Sequence, residues 1–303
     1  MQMVEISASM VKELREKSGA AMMDCKKALV ESSGDFDKAF EWLRQKGAAT
    51  AGKKSSRTAS EGLVVGQVSA DGKTGVLLEV NCETDFVARN DQFINLSKEL
   101  GDEALKSKPA SVEAFMSNKA GKGTVAERIT EAVAKIGENI VVRRVAVVES
   151  KSPNGIVGLY VHAVGGKLGA LIEIASDKPV DAEKFTALAR ELAMHVVSAK
   201  PQYVTKEEVP ADMIENERRI EAGKADLADK KPEMRDKIVQ GRVDKILAER
   251  CLLEQPFVKD GSVTISKYLA NKGKEFGATL EAKSFALFIL GETQAESEGS
   301  EEG

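Results

Sequence analysis

The feature that most constrains the fold is an internal repeat of a strand followed by a helix. The segment GKTGVLLEV at 72–80 recurs as GKLGALIEI at 166–174, and a pattern of helical spacing follows each copy. The two helical patterns share the same residue types at four positions, namely Phe93, Leu96, Glu99 and Leu100 in the first and Phe185, Leu188, Glu191 and Leu192 in the second. A further strand closes each half, at 140–148 and 284–290. The duplication predicts an α+β chain of two related subdomains, each a three-stranded antiparallel sheet with helices on one face.

The residues before the first copy predict a small helical module and a tether. Three short apolar patterns of helical spacing occupy residues 1–47 and end at Gly47, and the small polar residues that follow are typical of a mobile linker. The predicted division is therefore a three-helix module at 1–47, a linker at 48–62, core subdomain N at 63–150 and core subdomain C at 151–290.

The second subdomain contains a highly charged helical insertion at about 207–252. Met213, Ile220 and Leu227 repeat every seven residues, and Pro232 then interrupts the pattern. A second apolar stripe follows, at Met234, Ile238, Val243 and Ile246. This pattern predicts a coiled-coil hairpin whose narrow apolar seam suits contact with another chain. The acidic residues 291–303 are expected to be disordered.

Several function classes are disfavoured by composition. A net charge of −4 gives no overall electrostatic footprint for nucleic acid, and three widely spaced cysteines without a CxxC pair argue against disulfides or a thiolate metal site. Two histidines, His162 and His195, are too few for a multi-histidine metal site, and we interpret them as structural or contact residues, with a catalytic role as the weaker alternative. No cofactor or metal is predicted. With neither a secretory leader nor a long apolar stretch, we expect a cytoplasmic protein without membrane contact.

Two Gly-Lys segments invite comparison with phosphate-binding loops. Gly72-Lys73-Thr74 fails the GxxxxGK[ST] spacing and lies between two strands, whereas a phosphate loop leads from a strand into a helix. Gly165-Gly166-Lys167 fails for the same reason. Both segments predict hairpin turns in which glycine adopts positive φ.

The two copies differ in the connection between strand and helix. Residues 81–92 of the first copy are two residues longer than residues 175–184 of the second, and they contain the run ETDFVARN at 83–90. Phe86 lies in this run, in a segment expected at the surface. Either its ring folds back on its own sheet, or it projects and enters a pocket of a partner.

Four segments of the chain resemble those of one known family. They are LREKSGAAMMDCKKAL at 14–29, ETDFVARN at 83–90, KIGENI at 135–140, and Met194-His195-Val196 with the run SAKP at 198–201. Together they are similar to the signatures of bacterial elongation factor Ts. The resemblance implies a module like a ubiquitin-associated (UBA) domain, two core subdomains and a coiled-coil hairpin.

The resemblance also implies a function, which is guanine nucleotide exchange on elongation factor Tu without covalent chemistry. By position, Thr84, Asp85, Phe86 and Val87 match the segment that dislodges magnesium from the GTPase. The other matched contact residues are Leu14, Met22, Met23, Ile136 and His162. The loop around His162 carries extra residues relative to the family.

Two questions stay open on the sequence alone. The cations Lys53, Lys54 and Arg57 also suit a ribosome- or RNA-associated protein, although direct binding to nucleic acid is not expected. The predicted hairpin is compatible with a homodimer or with a two-plus-two complex with elongation factor Tu.

Overall fold

A computed structural model describes residues 6–121 and 123–292. The chain forms two compact units. The first unit contains the chain up to Val65 and Leu78–Ala146. The second unit contains Gly66–Leu77 and the chain from Val147 onward. From residue 293 on, the predicted acidic tail lies outside the described residues. Among the helices of the described part, none is long and apolar enough to span a membrane.

Three helices form the N-terminal module, as predicted: α1 (Ala8–Ser18), α2 (Met22–Glu31) and α3 (Phe36–Lys54). Ser7 caps α1 by accepting the N–H of Met10 at 3.3 Å, and Gly19 ends it in the left-handed conformation, with φ of 66°. The buried residues that hold the three helices together are Val11, Leu14, Cys25, Ala28, Leu29 and Ala39. The resemblance of this module to a UBA domain stays a prediction.

The predicted end of the third helix at Gly47 is wrong, because α3 continues to Lys54. Gly47 is buried in the helix interior, and a Cβ built there would come within 3.3 Å of the Cβ of Ala134. Glycine at this position thus permits close packing, and the small alanines after it favour the helix. The first part of the predicted linker is therefore helical.

The first copy of the repeat forms a sheet of strand order β1-β2-β5 with helices in its connections. Its elements in chain order are β1 (Glu61–Val68), β2 (Thr74–Cys82), α4 (Asp85–Ala88), α5 (Asp91–Ser107), α6 (Val112–Ser117), β3 (Lys119–Ala120), β4 (Gly123–Thr124), α7 (Val125–Ile136) and β5 (Val141–Glu149). Every residue of β2 is buried. Gly72 turns β1 into β2 with φ of 68°, which confirms the predicted hairpin turn.

The second copy repeats this plan with strand order β6-β7-β10. Its elements are β6 (Ile156–Val161), β7 (Leu168–Ser176), α8 (Ala182–Ala199), α9 (Ala211–Ala222), α10 (Pro232–Arg250), β8 (Pro256–Phe257), β9 (Asp260–Thr264), α11 (Ile265–Phe276) and β10 (Leu280–Ile289). Both neighbours of β7 are antiparallel to it. Gly158 of β6 permits close approach to α8, because a Cβ there would lie 2.3 Å from the carbonyl oxygen of Ala189. The duplicated α+β fold with two three-stranded antiparallel sheets is confirmed.

The inserted hairpin is formed by α9 and α10, but its seam differs from the predicted one. Leu227 and Val243 are buried, whereas Ile220 and Met234 are about half exposed, at 50% and 53%. The buried position beside Ile220 belongs to Glu221, whose carboxylate lies 3.5 Å from the guanidinium of Arg242. The seven-residue repeat fails because α9 ends at Ala222, so that Leu227 lies in the turn beyond it.

Candidate functional site

The run ETDFVARN forms a short projecting loop between β2 and α5. Thr84 caps the single turn of α4 by accepting the N–H of Val87 at 3.3 Å, and Ala88, the last residue of that turn, is buried. Phe86 is 83% exposed. The alternative in which its ring folds back on its own sheet is therefore wrong, and a large apolar side chain stands in solvent on the helical turn that follows β2.

The base of this loop is fixed by a buried thiol. Cys82 is fully buried, and its Sγ donates to the carbonyl oxygen of Thr84 at 3.2 Å. Burial raises the pKa of the Cys82 thiol to about 12, and the negative charge of Glu138 adds to the rise. The thiol therefore stays protonated at neutral pH and keeps its hydrogen for the carbonyl.

Glu138 and Asn139 hold the loop from the segment after α7. The carboxylate of Glu138 accepts hydrogen bonds from the backbone of Glu83 and Thr84 at 3.0 Å each. In return, Glu83 accepts the N–H of Asn139 at 2.7 Å. Neither residue is in the predicted site, although both lie in the run KIGENI. No local pattern pairs residues so far apart in the chain, so only the fold brings them together.

The predicted contact residues of the N-terminal module divide into an exposed pair and a buried support. Met22 and Met23 open α2 and are 49% and 63% exposed. Leu14 has no exposed surface and packs in the module's core, so its side chain offers no surface for direct contact with a partner. Gly19, in the turn before α2, lies against Lys135, because a Cβ built there would be 3.0 Å from its Cε. This places the start of α2 beside the end of α7.

Ile136 and His162 occupy different units. Ile136 is the last residue of α7, half-buried, and directly precedes the segment that holds the Phe86 loop. His162 belongs to the turn between β6 and β7, where its Nδ1 lies 3.3 Å from the carbonyl oxygen of Val164, an exposed residue of that turn. Thr84 to Val87, Met22, Met23 and Ile136 are thus in the first unit, and His162 is in the second.

His195 is a structural residue, as interpreted from the sequence. It is fully buried on α8, its Nδ1 accepts the N–H of Val258 at 3.3 Å, and its Nε2 lies 3.0 Å from Oε1 of Gln255. This arrangement suits a neutral ring with the proton on Nε2. Burial lowers the pKa of His195.

The cations singled out in the sequence have partners within the chain. The ammonium of Lys73 donates to the carbonyl oxygens of Ser152, Pro153 and Gly155 at 3.2, 2.8 and 2.6 Å. In the predicted linker, Lys54 donates to the carbonyl oxygen of Gly137, and Arg57 lies 3.5 Å from the carboxylate of Glu83. Two of the three cations of the RNA-binding alternative therefore have partners within the chain, although Arg57 remains more than half exposed.

Comparison with known proteins identifies the family of the chain. The model of the family described as elongation factor TS matches residues 83–292, beginning at the Phe86 loop. Proteins named elongation factor Ts from Trichlorobacter lovleyi, Nostoc sp. and Symbiobacterium thermophilum are 43%, 44% and 46% identical to the chain. The matches cover 95%, 96% and 96% of this chain and 93%, 94% and 93% of those proteins, respectively. The chain belongs to the elongation factor Ts family.

Proposed function

We propose that this protein is the guanine nucleotide exchange factor of elongation factor Tu, and that its Phe86 loop promotes the release of GDP. Family membership supports the general role in translation elongation. The observation that carries the finer proposal is the 83% exposure of Phe86 on a loop anchored at its base. The site of action is then the cytoplasm, where the factor meets the GTPase in its GDP-bound and nucleotide-free forms.

The loop acts by conformational coupling. GTPases hold GDP through backbone amides of the phosphate loop and through Mg²⁺, so a factor that disturbs the Mg²⁺ surroundings weakens GDP binding. In the proposed complex, Phe86 enters between helices near switch II of the GTPase. Asp85 supplies polar contacts beside it, with Thr84 and Val87 completing the contact. Binding is reciprocal, so GDP weakens binding of the factor by the ratio in which the factor weakens binding of GDP.

The other predicted contacts extend this surface. Met22 and Met23 offer flexible apolar side chains that adapt to a partner helix, and Leu14 supports them from the core below. Ile136 and His162 provide further contacts from their own units. The helical hairpin of α9 and α10 is the element we expect to touch a second chain, either a copy of this protein or a second GTPase in a two-plus-two complex.

The decisive test is replacement of Phe86 by alanine. Burial of a phenylalanine side chain is worth about 1.5–3 kcal/mol, so Phe86→Ala should slow GDP release at saturating factor by roughly ten- to a hundredfold. Release is followed by stopped-flow fluorescence with a labelled GDP on elongation factor Tu. Thermal unfolding should be unchanged, because the ring makes little contact with its own chain.

A matched control keeps the result specific. Val258→Ala removes another exposed apolar side chain, in the turn between β8 and β9, and should leave the release rate unchanged. Repeating the assay in EDTA should shrink the advantage of the unaltered factor if it works through Mg²⁺. An unchanged rate with Phe86→Ala would refute the role of the ring, and an undiminished advantage in EDTA would refute the role of the metal.

A further inference from the structure

The carboxylate of Glu138 accepts three hydrogen bonds from the loop that carries Phe86. It follows Gly137, which ends α7 with φ of 90°. Its Oε2 accepts the N–H groups of Glu83 and Thr84 at 3.0 Å each, and its Oε1 accepts the hydroxyl of Thr84 at 2.7 Å. Hydrogen bonds to a charged acceptor are about twice as strong as neutral ones, so one side chain accounts for much of the order of this loop.

Thr84 passes this restraint to the turn that presents Phe86. Its Oγ1 donates to Glu138 and accepts from the N–H of Val87. The single turn of α4 is too short to be stable alone, because isolated helices shorter than about 12 residues are marginal in water. The bonds at Thr84, the residue that caps the turn, therefore decide whether the turn forms.

The anchoring is reciprocal, which distinguishes it from an incidental surface contact. Glu83 Oε1 accepts the N–H of Asn139 at 2.7 Å and lies 3.5 Å from the guanidinium of Arg57. The side chain of Asn139, itself buried, donates to the carbonyl oxygen of Arg57 at 2.8 Å. Two adjacent residues after α7 thus hold both the Phe86 loop and the chain that follows α3.

From these contacts we infer that Glu138 is a positioning residue for nucleotide exchange, holding the loop so that Phe86 projects before the partner arrives. The inference rests on the proposed function of Phe86. A loop already ordered in the free factor loses less conformational entropy on binding, so a larger share of the contact energy acts on the GTPase.

The first arm of the test measures the loop in the free factor. Glu138→Ala removes all three contacts, and Glu138→Gln keeps the side-chain volume with one oxygen fewer. Amide hydrogen exchange is followed by NMR. In Glu138→Ala it should be at least about tenfold faster at Glu83, Thr84 and Val87, since each hydrogen bond lost to the carboxylate contributes much of the local stability of the loop. Glutamine should give a smaller increase. The control is Asp102→Ala, which removes an exposed carboxylate from α5 and should change none of these amides. Unchanged amides in Glu138→Ala would overturn the inference.

The second arm asks whether Glu138 acts through Phe86. GDP release from elongation factor Tu at saturating factor is measured for Glu138→Ala, Phe86→Ala and the double variant. Glu138→Ala should slow release about tenfold when Phe86 is present and add no slowing when Phe86 is already alanine. Equal slowing in both backgrounds would overturn the positioning role. If Glu138→Ala lowers the melting temperature, the same comparison is made with Glu138→Gln.

The two proposals fail in different ways. An unchanged release rate with Phe86→Ala alone would overturn the proposed role of the ring, and with it the exchange role of Glu138, whatever the amides do. If Phe86→Ala slows GDP release but Glu138→Ala releases GDP at the normal rate, only the inference about Glu138 is overturned.

Discussion

The two copies of the repeat connect their strand to the following helix by junctions of different length and structure. In the first, residues 83–90 between β2 and α5 form a projecting turn with an exposed aromatic ring. In the second, the shorter segment 177–181 between β7 and α8 closes on its own chain. There, Asp177 accepts the N–H of Thr279 at 2.7 Å, and the hydroxyl of Ser176 donates to the carbonyl oxygen of Lys178 at 2.6 Å. The scaffold tolerates either junction, so the proposed function lies in the inserted residues and in what anchors them.

The two copies also differ in the burial and partner of one equivalent glutamate. Glu79 in β2 is fully buried and lies 2.6 Å from the guanidinium of Arg144 on β5. Its counterpart Glu173 in β7 is half-buried, and its carboxylate accepts the hydroxyl of Ser284 on β10 at 3.1 Å. The first sheet therefore buries an ion pair where the second has a hydrogen bond to a partly solvated carboxylate.

The largest expected effect comes from breaking that ion pair. Arg144→Met leaves the Glu79 carboxylate buried without the guanidinium, which should lower the free energy of unfolding by about 3–5 kcal/mol. Ser284→Ala removes one bond from a partly hydrated carboxylate and should cost about 1 kcal/mol or less. Urea unfolding of both variants gives the comparison.

A double variant checks the reason for the difference. Glu79→Met together with Arg144→Met removes both buried charges, and most of the lost stability should return, since an apolar pair can replace a buried ion pair. Equal costs for Arg144→Met and Ser284→Ala would mean that burial of Glu79 does not set the penalty.

A smaller effect is expected from removing the residue that caps the helix in each junction. Asp181 caps α8 by accepting the N–H of Lys184 at 3.0 Å, and Thr84 caps α4. Asp181→Ala should lower the free energy of unfolding by about 1 kcal/mol without changing nucleotide exchange. Thr84→Val removes the hydroxyl and should slow GDP release about tenfold, because α4 carries the proposed contact.

Two measurements on each variant decide this prediction. The free energy of unfolding comes from urea titration, and the GDP release rate from stopped-flow fluorescence at saturating factor. If Asp181→Ala slowed release as much as Thr84→Val, the effect on exchange would follow general stability, and the first junction would have no special role.

The sequence predicted the parts of this fold that depend on local pattern. The repeat at 72–80 and 166–174 identified both sheets, and the length of the first junction drew attention to Phe86. Features that depend on distant contacts were missed or wrong. From the sequence alone Gly47 predicts the end of a helix, and only the fold shows that it packs against Ala134. Similarly, nothing near Glu138 in the sequence indicates that its carboxylate accepts a hydrogen bond from Thr84.

The hairpin shows the same limit. A seven-residue repeat predicts that Ile220 is on the seam, but the pattern cannot say where α9 ends. The helix α9 stops at Ala222, and within it the buried place next to Ile220 belongs to Glu221, which pairs with the more exposed cations Lys224 and Arg242. Helix ends and side-chain partners are set by tertiary packing, and such packing outweighs a local repeat.

The smallest expected effect is a pH response that is stronger in the second unit. Both histidines of the chain, His162 and His195, belong to that unit. Because burial lowers the pKa of His195, the unfolded chain binds a proton below about pH 6.5 that the folded chain does not yet bind. Stability from this residue is therefore present above about pH 6.5 and falls as the pH drops through that value.

The geometry at His195 explains why protonation is resisted and how to detect it. A proton on Nδ1 would face the N–H of Val258, which now donates to that nitrogen, so charging the ring costs a hydrogen bond as well as burial. Between about pH 7 and about pH 5.5, amides of α8 should lose protection in hydrogen exchange, after correction for intrinsic rates, while those of α5 change less. His195→Gln cannot titrate and should flatten the response of α8. Equal losses in both helices, or a response that persists in His195→Gln, would mean that His195 does not set the pH dependence of α8, and would remove this difference between the two copies.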